Sequence, residues 1–253
     1  MYLRLAALGD SATVGLGDPV AGGWRGWSRL LAAALGTAYD VSYCNVAVAG
    51  ATAALVREAQ LAEAVAHRPD LASLLIGVND TLRAGWDPAR FRDDVLTCAE
   101  ALHDAGATLL TARFHDHALV FGVPAVLARP LRARLAQVNA AHDEVHARYG
   151  GHRVDLGAWP SVHDRAFWAV DRLHPSELGH RALARAYADL LCAAGLDFEP
   201  PALGPGGGQP LTWRAEVTWL LREGAPWVGR RARDWGPLLT PRPRLPRRGL
   251  APR

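Results

Sequence analysis

The chain of 253 residues contains no lysine, and all 28 of its basic residues are arginine. Cysteine is scarce: Cys44, Cys98 and Cys192 are widely spaced and form no Cys-x-x-Cys pair. An odd number of cysteines without paired spacing argues against a disulfide framework and against a zinc knuckle. We therefore expect three buried thiols in a reducing compartment.

Long apolar runs are also missing. No stretch approaches the roughly 18 uninterrupted apolar residues that predict a membrane-spanning helix. The first apolar run, at residues 3–8, has the length of a buried strand, and we do not expect it to belong to a cleaved signal peptide. Half of the residues are hydrophobic and 21% are charged, which is typical of a folded globular protein. We expect this protein in the cytoplasm.

The charge of the chain is unevenly distributed. The formal net charge is +3, but residues 201–253 hold ten arginines against three acidic residues, which gives +7 there and −4 in residues 1–200. The composition changes at the same place, where glycine and proline become frequent. We predict a domain at 1–199, a Gly/Pro linker at 200–210, an amphipathic helix with a Trp/Arg-rich extension at 211–239, and a Pro/Arg-rich disordered tail at 240–253.

Within residues 1–199, short apolar runs alternate with longer amphipathic stretches. This alternation predicts an α/β fold with a parallel sheet, helices on both faces and right-handed crossovers. The predicted strands lie at 3–8, 41–48, 71–76, 107–112 and 153–156, and the predicted helices at 24–35, 52–67, 88–105, 131–149 and 176–194.

The connection at residues 113–130 is long and contains two closely spaced histidines. Long connections in compact domains are usually functional, so we predict that this segment forms a wall of the substrate pocket. His115 and His117 lack a third candidate ligand, which favours solvated side chains over a metal site. His142 falls in a predicted helix, and we expect it at the surface.

Three polar segments follow predicted strands, at residues 9–11, 45–50 and 77–80. Sites in parallel α/β sheets form in the crevice beyond the carboxyl ends of the strands. We therefore expect these segments to share one edge of the sheet. Within them, Asp10 and Asp80 are expected to be structural and to accept hydrogen bonds from turn amides.

Ser11, Asp171 and His174 are the candidate catalytic residues. A serine hydroxyl becomes a nucleophile when a base takes its proton, and the base needs an orienting partner. His174 is the candidate base and Asp171 its partner. Attack on an ester also needs donors for the negative oxygen, and we predict the N–H groups of Ser11 and Gly50 and the side-chain amide of Asn79 in that role.

These segments resemble the sequence blocks of the SGNH (GDSL-like) hydrolase family. Gly9-Asp10-Ser11 resembles the first block, residues 45–50 the second with Gly50 at the family's glycine, residues 77–80 the third, and Asp171-x-x-His174 the last. Ala12 departs from the leucine of the family's first block. The resemblance implies a flavodoxin-like, three-layer α/β/α fold with a five-stranded parallel sheet, and esterase or lipase-type activity without a metal or another cofactor.

The leading hypothesis is a serine hydrolase that cleaves a small acyl ester or thioester through an acyl-enzyme. The same residues also suit an acyltransferase that passes the acyl group to an alcohol, and a binding protein of this fold with little turnover is a third reading. We predict no nucleic-acid partner. The arginine-rich C-terminal tail is either solvated or forms a weak contact with anionic membranes.

Overall fold

The computed structural model describes residues 1–122 and 125–207, except for the side chains of residues 126 and 127. The predicted helix at 211–239 and the predicted tail at 240–253 lie outside the described residues, as does the end of the predicted linker. No helix in the described part of the chain is both long enough and apolar enough to cross a membrane.

Five parallel strands form the central sheet, in the order β4-β1-β5-β6-β7. Counted along the chain among themselves, these five strands have the order 2-1-3-4-5, which is the flavodoxin-like arrangement. The predicted fold class is therefore confirmed. The strands of the described residues are β1 (Tyr2–Gly9), β2 (Pro19–Val20), β3 (Gly23–Trp24), β4 (Asp40–Asn45), β5 (Leu71–Leu75), β6 (Thr108–Arg113) and β7 (His152–Asp155), of which β2 and β3 form a separate antiparallel pair.

Helices fill the connections between these strands. The α-helices of the described residues are α1 (Ser11–Val14), α2 (Gly26–Leu35), α3 (Ala53–Leu55), α4 (Leu61–Ala66), α5 (Val78–Thr81), α6 (Pro88–Asp104), α7 (His117–Phe121), α8 (Ala125–Tyr149) and α9 (Glu177–Ala193). A π-helical segment, Val56–Gln60, joins α3 to α4, and three 3-10 turns between β7 and α9 lie at Leu156–Ala158, Pro160–His163 and Arg165–Phe167.

The sheet separates two hydrophobic cores. Side chains alternate between the faces of a strand, and β1 accordingly places Leu5 in the core that contains Trp27 of α2 and Tyr187 of α9. Leu8 points to the opposite face and packs in the core that contains Val95 of α6. A fully buried side chain of this size contributes about 1.5–3 kcal/mol relative to an exposed one. The two cores hold the carboxyl ends of the strands in a fixed arrangement.

The predicted loop at 113–130 contains helical structure, and this part of the prediction is wrong. Helix α7 begins after Asp116, whose side chain accepts the N–H of Ala118 and caps the helix. Helix α8 begins at Ala125, six residues before the predicted start. Proline usually ends a helical pattern because it lacks an N–H, but Pro130 lies inside α8.

Candidate active site

The turn after β1 places Ser11 just beyond the carboxyl edge of the sheet. Asp10 caps α1, because its Oδ1 accepts the N–H of Ala12 at 3.0 Å. Gly9 has a φ of +152°, and a Cβ at this position would lie 2.6 Å from the carbonyl oxygen of Leu75. Only glycine fits there. Ser11 is therefore the first residue of α1, and its side chain is oriented by a turn that its neighbours determine.

Ser11, His174 and Asp171 form one hydrogen-bonded chain. The Oγ of Ser11 lies 2.7 Å from the Nε2 of His174, although the two residues are 163 positions apart. The Nδ1 of His174 lies 2.5 Å from the Oδ2 of Asp171. Between them, Arg172 has a φ of +56°, a left-handed conformation that is uncommon for a residue other than glycine. This tight turn brings the carboxylate back onto the imidazole.

The charge of Asp171 is stabilised within the buried site. Its Oδ1 accepts the N–H groups of Leu173 and His174 at 2.9 and 3.0 Å. Burial acts to raise the pKa of Asp171, but the hydrogen bonds and the charge of His174 outweigh it, and the pKa is lowered below the ordinary value. An ionised carboxylate favours the Nδ1–H tautomer of the imidazole, in which Nε2 can accept the hydrogen bond of the Ser11 hydroxyl.

Donors for a negative oxygen lie in the turns that follow β1, β4 and β5. Among the described residues, no acceptor takes the backbone N–H of Ser11 or of Gly50. Gly50 has a φ of +79°, and a Cβ there would meet no atom within 4 Å, so its backbone is open to an approaching ligand. Asn79 is buried, and its Nδ2 donates one hydrogen to the Oδ2 of Asp10 at 3.1 Å. Its second N–H remains for another acceptor.

Asp10 and Asp80 brace the surrounding turns, as their sequence positions predicted. Both oxygens of Asp80 lie near the N–H of Ala53, at 3.2 and 3.3 Å, and so hold the loop that carries Gly50. Burial raises the pKa of Asp10 to about 6 and that of Asp80 to about 7. Both carboxyl groups are desolvated, and each therefore costs more free energy to ionise than a solvated carboxyl group does.

Gln60 is a contributor to this region that the sequence reasoning missed. It is fully buried, and its side-chain amide forms two hydrogen bonds of 2.9 Å with the backbone of Gly9, one from the N–H and one to the carbonyl. The only signal in the sequence is a polar residue on a helical stretch between apolar ones. Such a residue is usually placed at the surface.

His115, His117 and His142 are buried, which corrects the expectation of solvated side chains. The rings of His115 and His117 stack with centroids 4.0 Å apart, and His142 lies 2.9 Å from the carbonyl oxygen of Ile76 through Nε2. Burial lowers the pKa of all three, that of His117 to about 4. These rings are packing elements. In residues 1–122 and 125–207, no three His, Cys, Asp or Glu side chains are grouped to hold a metal ion.

A cavity of about 220 Å³ adjoins the loop that carries Gly50. Its lining includes Thr52, Asp80, Arg83, Trp86 and Arg90. Arg83 also reaches the carbonyl oxygen of Gly50, at 3.4 Å. The mixture of cationic, anionic and aromatic side chains suits a polar rather than a purely aliphatic group.

Comparisons with known proteins agree with this geometry. The sequence model of the GDSL-like Lipase/Acylhydrolase family matches residues 7–182. A comparison with curated proteins gives no match.

Three solved structures illustrate the likeness in fold. TesA is 22% identical with a TM-score of 0.56, and the match covers 74% of this chain and 97% of that chain. The lipase/acylhydrolase from Enterococcus faecalis is 20% identical with a TM-score of 0.57, covering 79% and 99%. A variant of Axe2, an acetyl xylan esterase from Geobacillus stearothermophilus, is 21% identical with a TM-score of 0.59, covering 74% and 93%.

Proposed function

The chain belongs to the GDSL-like lipase/acylhydrolase family and is an ester-hydrolysing enzyme, and on this premise we propose that Ser11, His174 and Asp171 are its catalytic triad. The observation that carries the proposal is the hydrogen-bonded chain from the Ser11 hydroxyl through both ring nitrogens of His174 to the Asp171 carboxylate. The three groups have the roles of nucleophile, base and orienting partner.

In the first half of the reaction, the Oγ of Ser11 attacks the carbonyl carbon of the ester. The proton of the hydroxyl passes to the Nε2 of His174 as the new C–O bond forms. The imidazolium is stabilised by Asp171, which stays ionised. The tetrahedral intermediate then collapses, His174 gives the proton to the leaving alcohol, and an acyl-enzyme remains on Ser11.

In the second half, water replaces the alcohol. His174 takes a proton from the water, the resulting hydroxide adds to the acyl carbon, and Ser11 leaves with the proton returned by His174. A thioester follows the same course with a thiol as the leaving group. The products are a carboxylic acid and an alcohol or thiol.

We assign the oxyanion hole to the N–H groups of Ser11 and Gly50 and to the amide of Asn79. Support comes from two backbone donors without a protein acceptor in the described residues and from one N–H of Asn79 left over beside Asp10. Such preplaced donors stabilise charge that develops in the transition state, and removing one usually costs about 10²–10³-fold in kcat.

We further propose that the substrate is a small acyl ester and that the enzyme acts in the cytoplasm without a cofactor. The polar cavity lined by Thr52, Asp80 and Arg83 supports a substrate with a polar portion. The unpaired cysteines support a reducing compartment, since all three are free thiols in the structure.

The test is active-site labelling with a fluorophosphonate, read by mass spectrometry, together with turnover of p-nitrophenyl acetate. We expect one label per chain on Ser11, and we expect Ser11→Ala to abolish both labelling and turnover. His174→Ala should lower kcat by on the order of 10³-fold or more, because the triad acts as a unit. Full turnover by Ser11→Ala would refute the assignment.

Ser73→Ala is the matched control for the nucleophile. Ser73 lies on β5, is fully buried, and has a hydroxyl without a protein partner in the described structure. We expect this variant to label and to turn over like the unmodified enzyme.

Adding an alcohol acceptor during turnover separates hydrolysis from acyl transfer, because only a transferase forms the new ester in preference to the free acid.

A further inference from the structure

The last residue of β1 has no strand partner on one side. β4 ends at Asn45, which pairs with Ala7, so no residue of β4 stands opposite Gly9. Gly9 also lacks a side chain that packing could hold. On that side the hydrogen bonds of its N–H and carbonyl restrain its orientation, and an unsatisfied buried backbone group would cost stability.

Gln60 supplies these hydrogen bonds. Its Oε1 accepts the N–H of Gly9 and its Nε2 donates to the carbonyl of Gly9, both at 2.9 Å. We call this pair of bonds the Gly9 clamp. Gln60 is the last residue of the π-helical segment Val56–Gln60, in which the N–H of Leu61 bonds to the carbonyl of Val56. π-Helical turns inside helices frequently occur at functional sites.

The Gly9 clamp touches both halves of the active site. Gly9 precedes Ser11 by two residues, so its backbone sets the direction in which α1 begins. The carbonyl of Gly9 also accepts the N–H of Val48 at 3.3 Å, and Val48 lies in the loop that leads to Gly50. The carbonyl of Gly9 thus links the turn that carries Ser11 to the loop that carries Gly50, and the same carbonyl also accepts a hydrogen bond from Gln60.

We propose that Gln60 is a positioning residue. Its two hydrogen bonds to Gly9 keep the Ser11 hydroxyl and the Gly50 N–H at the relative positions that attack on the ester requires. This inference rests on the proposed roles of Ser11 and Gly50. Gln60 touches neither the substrate nor the reacting atoms. Its effect is on kcat, since a misplacement of about 1 Å in a reacting group costs on the order of 10²-fold.

A second clamp of the same chemistry provides a matched control. Asn139 of α8 accepts the N–H of Phe114 at 2.8 Å and donates to the carbonyl of Phe114 at 2.9 Å. Phe114 directly follows β6, so this clamp also closes the end of a strand. It has no bond to the turn of Ser11 or to the loop of Gly50. Breaking it removes the same two hydrogen bonds from a different strand end.

The main experiment compares Gln60→Glu with Asn139→Asp across a range of pH. A protonated carboxylic acid accepts through its carbonyl oxygen and donates through its hydroxyl, so it preserves both bonds of either clamp. Once ionised, the group can no longer donate and repels the backbone carbonyl. Burial raises the pKa of the introduced acid, which brings this change into the working range of pH.

For Gln60→Glu we expect a kcat within about threefold of the unmodified enzyme at the acidic end, and a decline of at least about tenfold as pH rises. KM should stay within about threefold. The unmodified enzyme should show no such decline. Asn139→Asp should lose thermal stability as pH rises, as Gln60→Glu does, but its kcat should follow the profile of the unmodified enzyme.

Gln60→Met keeps the length of the side chain without its hydrogen bonds and covers the case in which the acid variant does not fold. We expect its kcat to fall by about 10–100-fold with KM nearly unchanged. An unmodified kcat in Gln60→Met, a loss confined to KM, or the same decline of kcat in Asn139→Asp would overturn the proposal. Failure of the proposed function would instead appear as turnover by Ser11→Ala.

Discussion

The side-chain amide of Asn79 is held by a hydrogen bond to Asp10. One N–H of its amide is engaged with the Oδ2 of Asp10, and that carboxylate in turn caps α1 through the N–H of Ala12. The bond to Asp10 therefore fixes the rotamer of Asn79. A donor with a fixed direction loses no orientational freedom when charge develops on the substrate, which is the basis of oxyanion stabilisation.

Asn79→Ala should lower kcat by about 10²–10³-fold, the usual effect of removing one oxyanion donor. KM should change far less, because the bond strengthens only as charge develops in the transition state. Steady-state kinetics with p-nitrophenyl acetate provide the measurement. Thr81→Val, in the same helix, is the control and should leave kcat unchanged. If the whole loss appeared in KM, Asn79 would bind the ground state.

At the level of secondary-structure elements, α5 supports the loop that carries Gly50. Asp80 of α5 holds the N–H of Ala53, and Arg134 of α8 donates to the carbonyl oxygens of Thr81 and Arg83 at 2.7 and 2.9 Å. The short helix is thus tied to a long helix on one side and to the loop of Gly50 on the other. The loop gains its rigidity from elements that are packed in the core.

Asp80→Asn tests how much folding stability is lost when the buried carboxyl group of Asp80 ionises. The pKa of Asp80 is raised by burial to about 7, whereas an unfolded aspartate ionises near 3.8. A raised pKa means that the folded state loses stability as pH rises from about 4 through about 7. Asparagine keeps an oxygen for Ala53 and does not ionise.

The stability of Asp80→Asn relative to the unmodified enzyme should therefore increase from pH 4 to pH 7 and then level off. The gain is on the order of 4 kcal/mol, because the pKa of Asp80 in the folded state lies about 3 above its unfolded value and one pKa unit corresponds to about 1.4 kcal/mol. Urea unfolding at a series of pH values measures it. Asp87→Asn makes the same substitution at the exposed cap of α6 and serves as the control. A difference between Asp80→Asn and the unmodified enzyme that is independent of pH would contradict the assignment.

At the scale of the whole molecule, the start of the C-terminal segment is attached next to the active site. The N–H of Gly206 donates to Glu177 at 2.7 Å, and Arg25 donates to the carbonyl of Gly206 at 2.7 Å. Glu177 is three residues after His174 and opens α9. The last described residues, Gly206 and Gly207, therefore lie beside the start of α9, three residues after His174.

Deletion of residues 240–253 should leave folding and the turnover of soluble esters intact. If the tail contacts anionic membranes, the deletion should weaken sedimentation with anionic vesicles, since each basic residue near such a surface contributes about 1 kcal/mol. Added salt should do the same to the full chain. Neutral vesicles are the control. A full-length chain that does not sediment with anionic vesicles at low salt would exclude the contact.

The sequence by itself predicted an α/β fold with a parallel sheet, and its resemblance to the SGNH hydrolase blocks implied the flavodoxin-like, five-stranded form of that sheet. Apolar runs of strand length alternate with helical stretches, and this local pattern determines a parallel sheet whose strand ends share one edge. The segments that contain Ser11, Asn79 and His174 stood out because each is a polar interruption at the end of an apolar run or at the start of a helix. Their candidate roles followed from short motifs that resemble the blocks of the SGNH hydrolase family, and such motifs are local.

The tertiary structure decided which polar side chains are buried and what they hold. Gln60 meets Gly9 across 51 positions, and His142 meets Ile76 across 66, so no local pattern distinguishes them from surface residues. The early start of α8 has the same origin, since Ala128 and Leu131, on either side of Pro130, pack in one buried cluster with Leu82 and Ala118. This packing overrides the break that Pro130 suggests. A buried polar group is stabilised by a hydrogen-bond partner, and for Gln60 and His142 that partner comes close only once the chain has folded.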